Sequence, residues 1–165
     1  MGDELARHRH HLEQLVAERT AELAEANLAL AQRAAEIADL YDRAPCGYHS
    51  LAADGTIVAV NQTELDLLGY SREEYVGHKV GEFMTADSRA LFGQRFAEFR
   101  RSGRVRDLAF EWLRKDGTIL PVLISGDLVH NAAGEFLFTR STMVDNSERR
   151  RRDREIAEMQ AELAR

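Results

Sequence analysis

The sequence predicts an α+β fold in which a five-stranded antiparallel sheet carries its helices on one face and is flanked at each end by a helix of coiled-coil character. Three observations predict it. Short apolar runs separated by Asp54-Gly55, by Lys115-Asp116-Gly117 and by Asn131 to Gly134 read as strands joined by tight turns. Two such strands precede a helix-rich middle and three follow it, an order that gathers the helices on one side of a single sheet. Apolar residues at heptad-like spacing mark the segments before and after this core.

The first segment is helical because Leu5 to Leu40 contains no proline or glycine and is dominated by Ala, Glu, Leu and Arg, all good helix formers. Val16, Leu23, Leu30 and Ile37 recur at every seventh position, and Leu12 joins Leu5, Ala26 and Leu40 on the complementary seam. A strict heptad keeps one stripe turned toward a partner helix, which favours an intermolecular coiled coil over a single amphipathic helix lying on its own domain. Arg9, Arg19 and Arg33 interrupt the seam and hold its stability down.

Pro45 ends this helix, since the residue before a proline is pushed out of the helical region. Gly47 to Leu51 and Thr56 to Val60 then form the first hairpin. Gln62 to Leu68 reads as a short helix stopped by Gly69, and Ser71 with Glu74 fits a capping box at the start of the next turn. The longest core helix is expected from about Ala86 to Arg101. The remaining strands are Val105 to Leu113, Thr118 to Val129 and Glu135 to Val144. After Ser147 the chain turns helical again, with Ile156, Met159 and Leu163 on one face. A helix of that length is marginal alone in water and calls for a partner. The expected organisation is a helix over residues 1–43, a core over 44–146 and a second helix over 147–165.

Composition narrows the function. The chain has 165 residues, 30% of them charged, and a net charge of −6, so nothing general points to nucleic acid. Arg149 to Arg152 and Arg154 form a basic cluster, read as a solvated helix face or as a phosphate or partner contact. No stretch approaches the ~18 apolar residues of a membrane span, and no signal-peptide apolar region opens the chain, so a cytoplasmic location is expected. Charged helical sequence at both ends is what a segment of a longer protein would show.

Asn61, Leu65, Leu68-Gly69-Tyr70-Ser71, Glu73-Glu74, Gly77, Arg114-Lys115-Asp116-Gly117-Thr118 and Val144-Asp145-Asn146-Ser147-Glu148-Arg149 together resemble a PAS domain spanning about Leu40 to Arg149. The last motif resembles the Asp-x-Thr sequence at which such domains pass into a signalling helix. In that family the acid contacts the domain while the hydroxyl helps start the helix, which assigns signal transmission to Asp145, Ser147, Glu148 and Arg149. Arg7 to Leu30 likewise resembles the linker helix preceding sensor domains in bacterial histidine kinases. The resemblance implies a sensory and dimerisation module of a bacterial two-component signal-transduction protein. Its output domain would lie outside this chain, a histidine kinase before a nucleotide cyclase. A ligand-free dimerisation scaffold is the alternative. The dimer is expected to be a parallel homodimer, because antiparallel pairing would send the two outputs in opposite directions.

A PAS domain can hold a ligand between its sheet and its longest helix. Candidate lining residues are Phe83, Phe92 and Phe96 on the helical side, and Tyr48, Val58, Phe110, Trp112, Leu123 and Phe138 on the strands; the same residues would equally serve as a filled core. No cofactor is expected, and any small ligand is unidentified. Flavin-binding light sensors of this type carry an Asn-Cys-Arg-Phe run that is absent here, and haem-binding relatives use a histidine on the long helix, where this chain has none. The lone cysteine, Cys46, is a structural thiol or a redox site; with His49 it offers two metal ligands, which do not close a site. No phosphate loop, nucleophile elbow or His-Glu-x-x-His helix is present, so the chain is not expected to be catalytic.

Overall fold

The computed structural model describes residues 1–165, which divide into two units, Met1–Tyr41 and Asp42–Arg165. Helix α1 (Gly2–Asp42) buries no residue. Ion pairs Arg7–Asp3 and Arg9–Glu13, both at 3.8 Å one turn apart, decorate its surface and contribute a few tenths of a kcal/mol each. The heptad residues Leu12, Val16, Leu23, Leu30 and Ile37 are all exposed, so α1 presents an apolar stripe broken at Arg9, Arg19 and Arg33.

The second unit is built on a sheet of β1 (Gly47–Leu51), β2 (Ile57–Val60), β3 (Arg104–Leu113), β4 (Ile119–His130) and β5 (Phe136–Asp145). The strand order is β2-β1-β5-β4-β3 and every pairing is antiparallel. Between β2 and β3 lie α2 (Gln62–Leu68), α3 (Arg72–Tyr75), a 3₁₀ turn (Val80–Phe83) and α4 (Ala86–Ser102). After β5 comes α5 (Ser147–Leu163), which, like α1, buries nothing.

Strand alternation turns Leu51, Ile57, Phe110, Trp112, Leu120, Val122 and Met143 inward, and Leu65 and Leu68 of α2, Tyr75 of α3 and Phe83 of the 3₁₀ turn close over them. Local chemistry explains where the helices begin and end. Asn61 caps α2 by accepting from the Glu64 amide, and Ser71 and Glu74 complete a reciprocal capping box at α3. Gly69 ends α2 at φ +82°, a left-handed conformation that costs a residue with a Cβ roughly 1–2 kcal/mol.

The 3₁₀ turn is absent from the sequence reading, which placed the chain between α3 and α4 in no regular element. The second strand starts one residue later than expected, because Thr56 pairs instead with Lys79 as an isolated bridge.

Candidate functional site

A cavity of about 30 Å³ lies between the inner face of the sheet and α4. That is room for one or two water molecules. Phe92 and Phe96 of α4, stacked with centroids 5.1 Å apart, form one wall, and Phe110 and Trp112 of β3 form the other. These four are the sequence-predicted lining residues that the fold brings together.

The other five stand elsewhere, and the period-2 pattern of strands accounts for most of them. Tyr48 lies between buried Gly47 and His49, and Leu123 between buried Val122 and Ile124, so both face outward. Phe138 precedes buried Thr139 and is 37% exposed on the same outer face. Val58 falls where the β1–β2 register shifts; the irregularity leaves it 47% exposed. Phe83 is buried but packs edge-on against Tyr70 and beside Tyr75, at 4.9 and 4.7 Å, away from the cavity.

The polar side of the cavity was not anticipated. His49 of β1 lines it, and its Nδ1 lies 2.8 Å from Glu64 Oε1 on α2. Tyr75 donates its hydroxyl to Glu64 Oε2 at 2.9 Å, and Trp112 Nε1 donates to the Tyr75 oxygen at 3.1 Å. Glu64, Tyr75 and Trp112 are at most 1% exposed and His49 3%. Burial, and then the Glu64 carboxylate, push the Tyr75 hydroxyl pKa well above its ordinary value, so it stays a donor. Gly47 makes the arrangement sterically feasible, since a Cβ there would stand 2.9 Å from both Cβ and Oε1 of Glu64. Ser141 Oγ, on β5, is a second polar group in the wall.

The first turn of α2 also holds the segment that leads into the sheet. Asn61 Oδ1 accepts from the Tyr48 amide at 2.8 Å while its Nδ2 donates to the Cys46 carbonyl at 3.1 Å. Thr63 Oγ1 lies within hydrogen-bond distance of the carbonyls of Ala44, at 2.7 Å, and Asp42, at 3.1 Å, and the Gln62 amide donates to Asp42 Oδ1. Thus one turn carries both the acid of the cavity network and the clamp on residues 42–48. Cys46 is partly exposed in that segment, and its thiol pushes up the pKa of the Tyr48 hydroxyl beside it.

At the other end the division of labour differs from the expected one. Asp145 Oδ1 accepts from the Ser147 amide at 2.8 Å, so the acid rather than the Ser147 hydroxyl starts α5. Attachment to the sheet falls to Asn146, whose amide donates to the Pro121 carbonyl at 2.9 Å. Arg150, outside the expected motif, pairs with Glu111 of β3 at 3.3 Å. Glu148 pairs with Arg152 along the helix, and Arg149 is exposed. Ile156, Met159 and Leu163 are exposed along α5. No three His, Cys, Asp or Glu side chains come together at metal-binding spacing, and no helix is long and apolar enough to cross a membrane.

Comparison with known proteins bears on this arrangement. The family model described as PAS domain matches residues 45–148. A curated relative, phosphoserine phosphatase RsbP of Bacillus subtilis (strain 168), is 29% identical over 91 residues; the match takes in 54% of this chain and only 22% of the relative. Among solved structures, the PAS domain of an HTR-like protein from Haloarcula marismortui superposes with a TM-score of 0.65 at 23% identity, covering 74% of this chain and 98% of that one. An RNA-binding Light-Oxygen-Voltage receptor gives 0.68 at 18% identity, over 77% of this chain and 37% of that one. A domain of a sensory box sensor histidine kinase/response regulator from Geobacter sulfurreducens gives 0.58 at 19%, over 70% and 96%. At these identities the structural likenesses speak to the fold alone.

Proposed function

This chain belongs to the PAS domain family through residues 45–148, and from that premise we propose that it is the sensory and dimerisation module of a bacterial signal-transduction protein. Occupancy of the cavity would be relayed to an output domain through the flanking helices. The observation that carries this reading is the double use of the first turn of α2, where Glu64 supports the cavity wall and Asn61, Gln62 and Thr63 hold Asp42, the last residue of α1, and the residues after it. A change at the wall therefore reaches the flanking helix through one rigid turn. The exposed heptad stripe of α1 supports a parallel homodimer, and α5 offers an exposed apolar face of its own at Ile156, Met159 and Leu163. A histidine kinase is the output we favour, placed with the module in the cytoplasm. The similarity to RsbP brings a phosphatase into the same set, beside a nucleotide cyclase.

One observation favours a second reading, a dimerisation scaffold that senses nothing: about 30 Å³ is far below the ~300 Å³ at which small-molecule pockets begin. Sensing requires the wall to open. Helix α4 is suited to that, because it buries only Ser88 and Phe99 among its 17 residues, and two of its three rings at the cavity, Phe92 and Phe96, are only half-buried.

Crosslinking tests the dimer. With Cys46→Ser in place, Leu23→Cys is expected to give like-with-like disulfides between two copies. Failure at Leu23 and at the equivalent Val16, Leu30 and Ile37 positions would refute the parallel pair. Native mass spectrometry of the purified protein separates sensor from scaffold: a reproducible bound mass supports the first, and its absence across expression conditions supports the second.

A further inference from the structure

We infer that His49 is the polar anchor of the cavity and presents an N–H donor to it, so that the molecule sensed is small, neutral and apolar with one hydrogen-bond acceptor. The inference deepens the sensory reading above and rests on it. It begins with the partner of Nδ1, the Glu64 carboxyl at 2.8 Å. Trp112 donates to the Tyr75 oxygen, so the Tyr75 hydrogen points to Glu64 Oε2, and that oxygen is an acceptor. One proton is left to be shared between Glu64 Oε1 and His49 Nδ1.

Charge decides where the imidazole's other hydrogen sits. Glu64 is 0% exposed and His49 3%, and an uncompensated charge in such surroundings is costly. Arg95 is the cationic group in the cavity wall, but it is paired with Glu98 at 3.0 Å on the surface of α4 and has no hydrogen bond to Glu64. The His49–Glu64 pair is therefore neutral as a unit. If the shared proton is on Oε1, the imidazole keeps its single hydrogen on Nε2; if it is on Nδ1, the ring is an imidazolium with hydrogens on both nitrogens. Either way Nε2 is a donor.

Nε2 is also open to the cavity. No sealed side-chain nitrogen or oxygen in this protein lacks a hydrogen-bond partner, and Nε2 has none, so it faces free space; the free space His49 borders is this cavity. The remaining wall is aromatic and aliphatic apart from Ser141 and from Arg95, whose guanidinium is engaged by Glu98 on the surface of α4. An apolar body with a single acceptor matches that wall. A ligand larger than one or two waters displaces Phe92 and Phe96 outward with α4, and the strain at His49 passes through Glu64 to the α2 turn.

The test uses two near-isosteres, benzonitrile, which carries an acceptor nitrogen, and phenylacetylene, which carries a C–H in its place. Amide chemical-shift titrations of the whole chain are expected to show benzonitrile binding roughly tenfold more tightly, the value of one hydrogen bond to an otherwise unpartnered buried group. His49→Leu is expected to erase that preference. Because this variant also strands Glu64 and could fail to fold, a second readout uses the unaltered protein. Its long-range ¹H–¹⁵N imidazole spectrum should show a hydrogen on Nε2 of His49, moving downfield as benzonitrile is added. Equal affinities, or an Nε2 without hydrogen, would overturn the anchor while leaving the cavity a sensory site. Binding of neither compound would overturn both.

Discussion

Replacing Glu64 with alanine should be among the most destabilising single changes available to the core. The Glu64 carboxyl group shares a hydrogen bond with His49 Nδ1 and accepts one from the Tyr75 hydroxyl, and both partners are buried. Its loss strands two polar groups at about 1–3 kcal/mol each. Breaking a buried pair by deleting one partner costs about 3–5 kcal/mol by independent reckoning, so the two routes agree. A domain of about 100 residues loses 4–8 °C of Tm per kcal/mol, which translates to a fall of roughly 15–30 °C. Urea unfolding followed by the fluorescence of Trp112, the single tryptophan and a member of the same network, reads this directly. The m-value should be unchanged, and Glu64→Gln, which keeps one acceptor for Tyr75, should cost less. A loss below about 1 kcal/mol for Glu64→Ala at unchanged m would refute the network as drawn.

Two further outcomes are expected. The Lys115 ammonium, 2.8 Å from Glu74, and the Ser71 amide and hydroxyl hold the Glu74 carboxyl below its ordinary pKa. A depressed acid stabilises the fold above its unfolded pKa of about 4.3 and gives that stability up as pH falls through the folded value, so Glu74→Gln should flatten the acid limb of the stability profile and leave it unshifted in shape near pH 7. Melting curves from pH 2 to 7 check this: the deficit of Glu74→Gln relative to the unaltered protein should be full near pH 7 and vanish toward pH 2, and a deficit of the same size at every pH would contradict it. Asp145→Ala removes the acceptor for the Ser147 amide and should cost about 0.5–2 kcal/mol, confined to α5. Hydrogen exchange should rise in the first turn of α5 with the sheet amides unchanged, and a general loss of sheet protection would refute the assignment.

Much of the fold was legible because its signals are local. The Asp54-Gly55 and Lys115-Asp116-Gly117 turns, the Ser71–Glu74 capping box and the Gly69 stop each act over a few residues, and each stands where the sequence put it. The cavity was half legible: Phe92, Phe96, Phe110 and Trp112 announce themselves by bulk and periodicity. Its polar side was hidden because His49 and Glu64 lie 15 residues apart on different elements, and only the crossing of β1 by α2 makes them neighbours. Tyr48 and His49 show how narrow the margin is. A one-residue choice of phase in a five-residue strand decides which ring faces in, and bulk favoured the wrong one. Two hints were available: His49 alternates with Leu51, and Glu64 shares the inward face of α2 with Leu65 and Leu68.

The passage from β5 to α5 leaves a single residue, Asn146, between strand and helix, and so has no slack. Sliding β5 by one residue is barred, because it would turn Thr139, Ser141 and Met143 out to solvent. What the strand can hand on is tilt. A helix of 17 residues is about 25 Å long, so a tilt of roughly 10° at Asn146 carries its far end about 4 Å, close to the pitch of one turn. The lever multiplies a displacement too small to disturb the core into one large enough to exchange contacts at its tip.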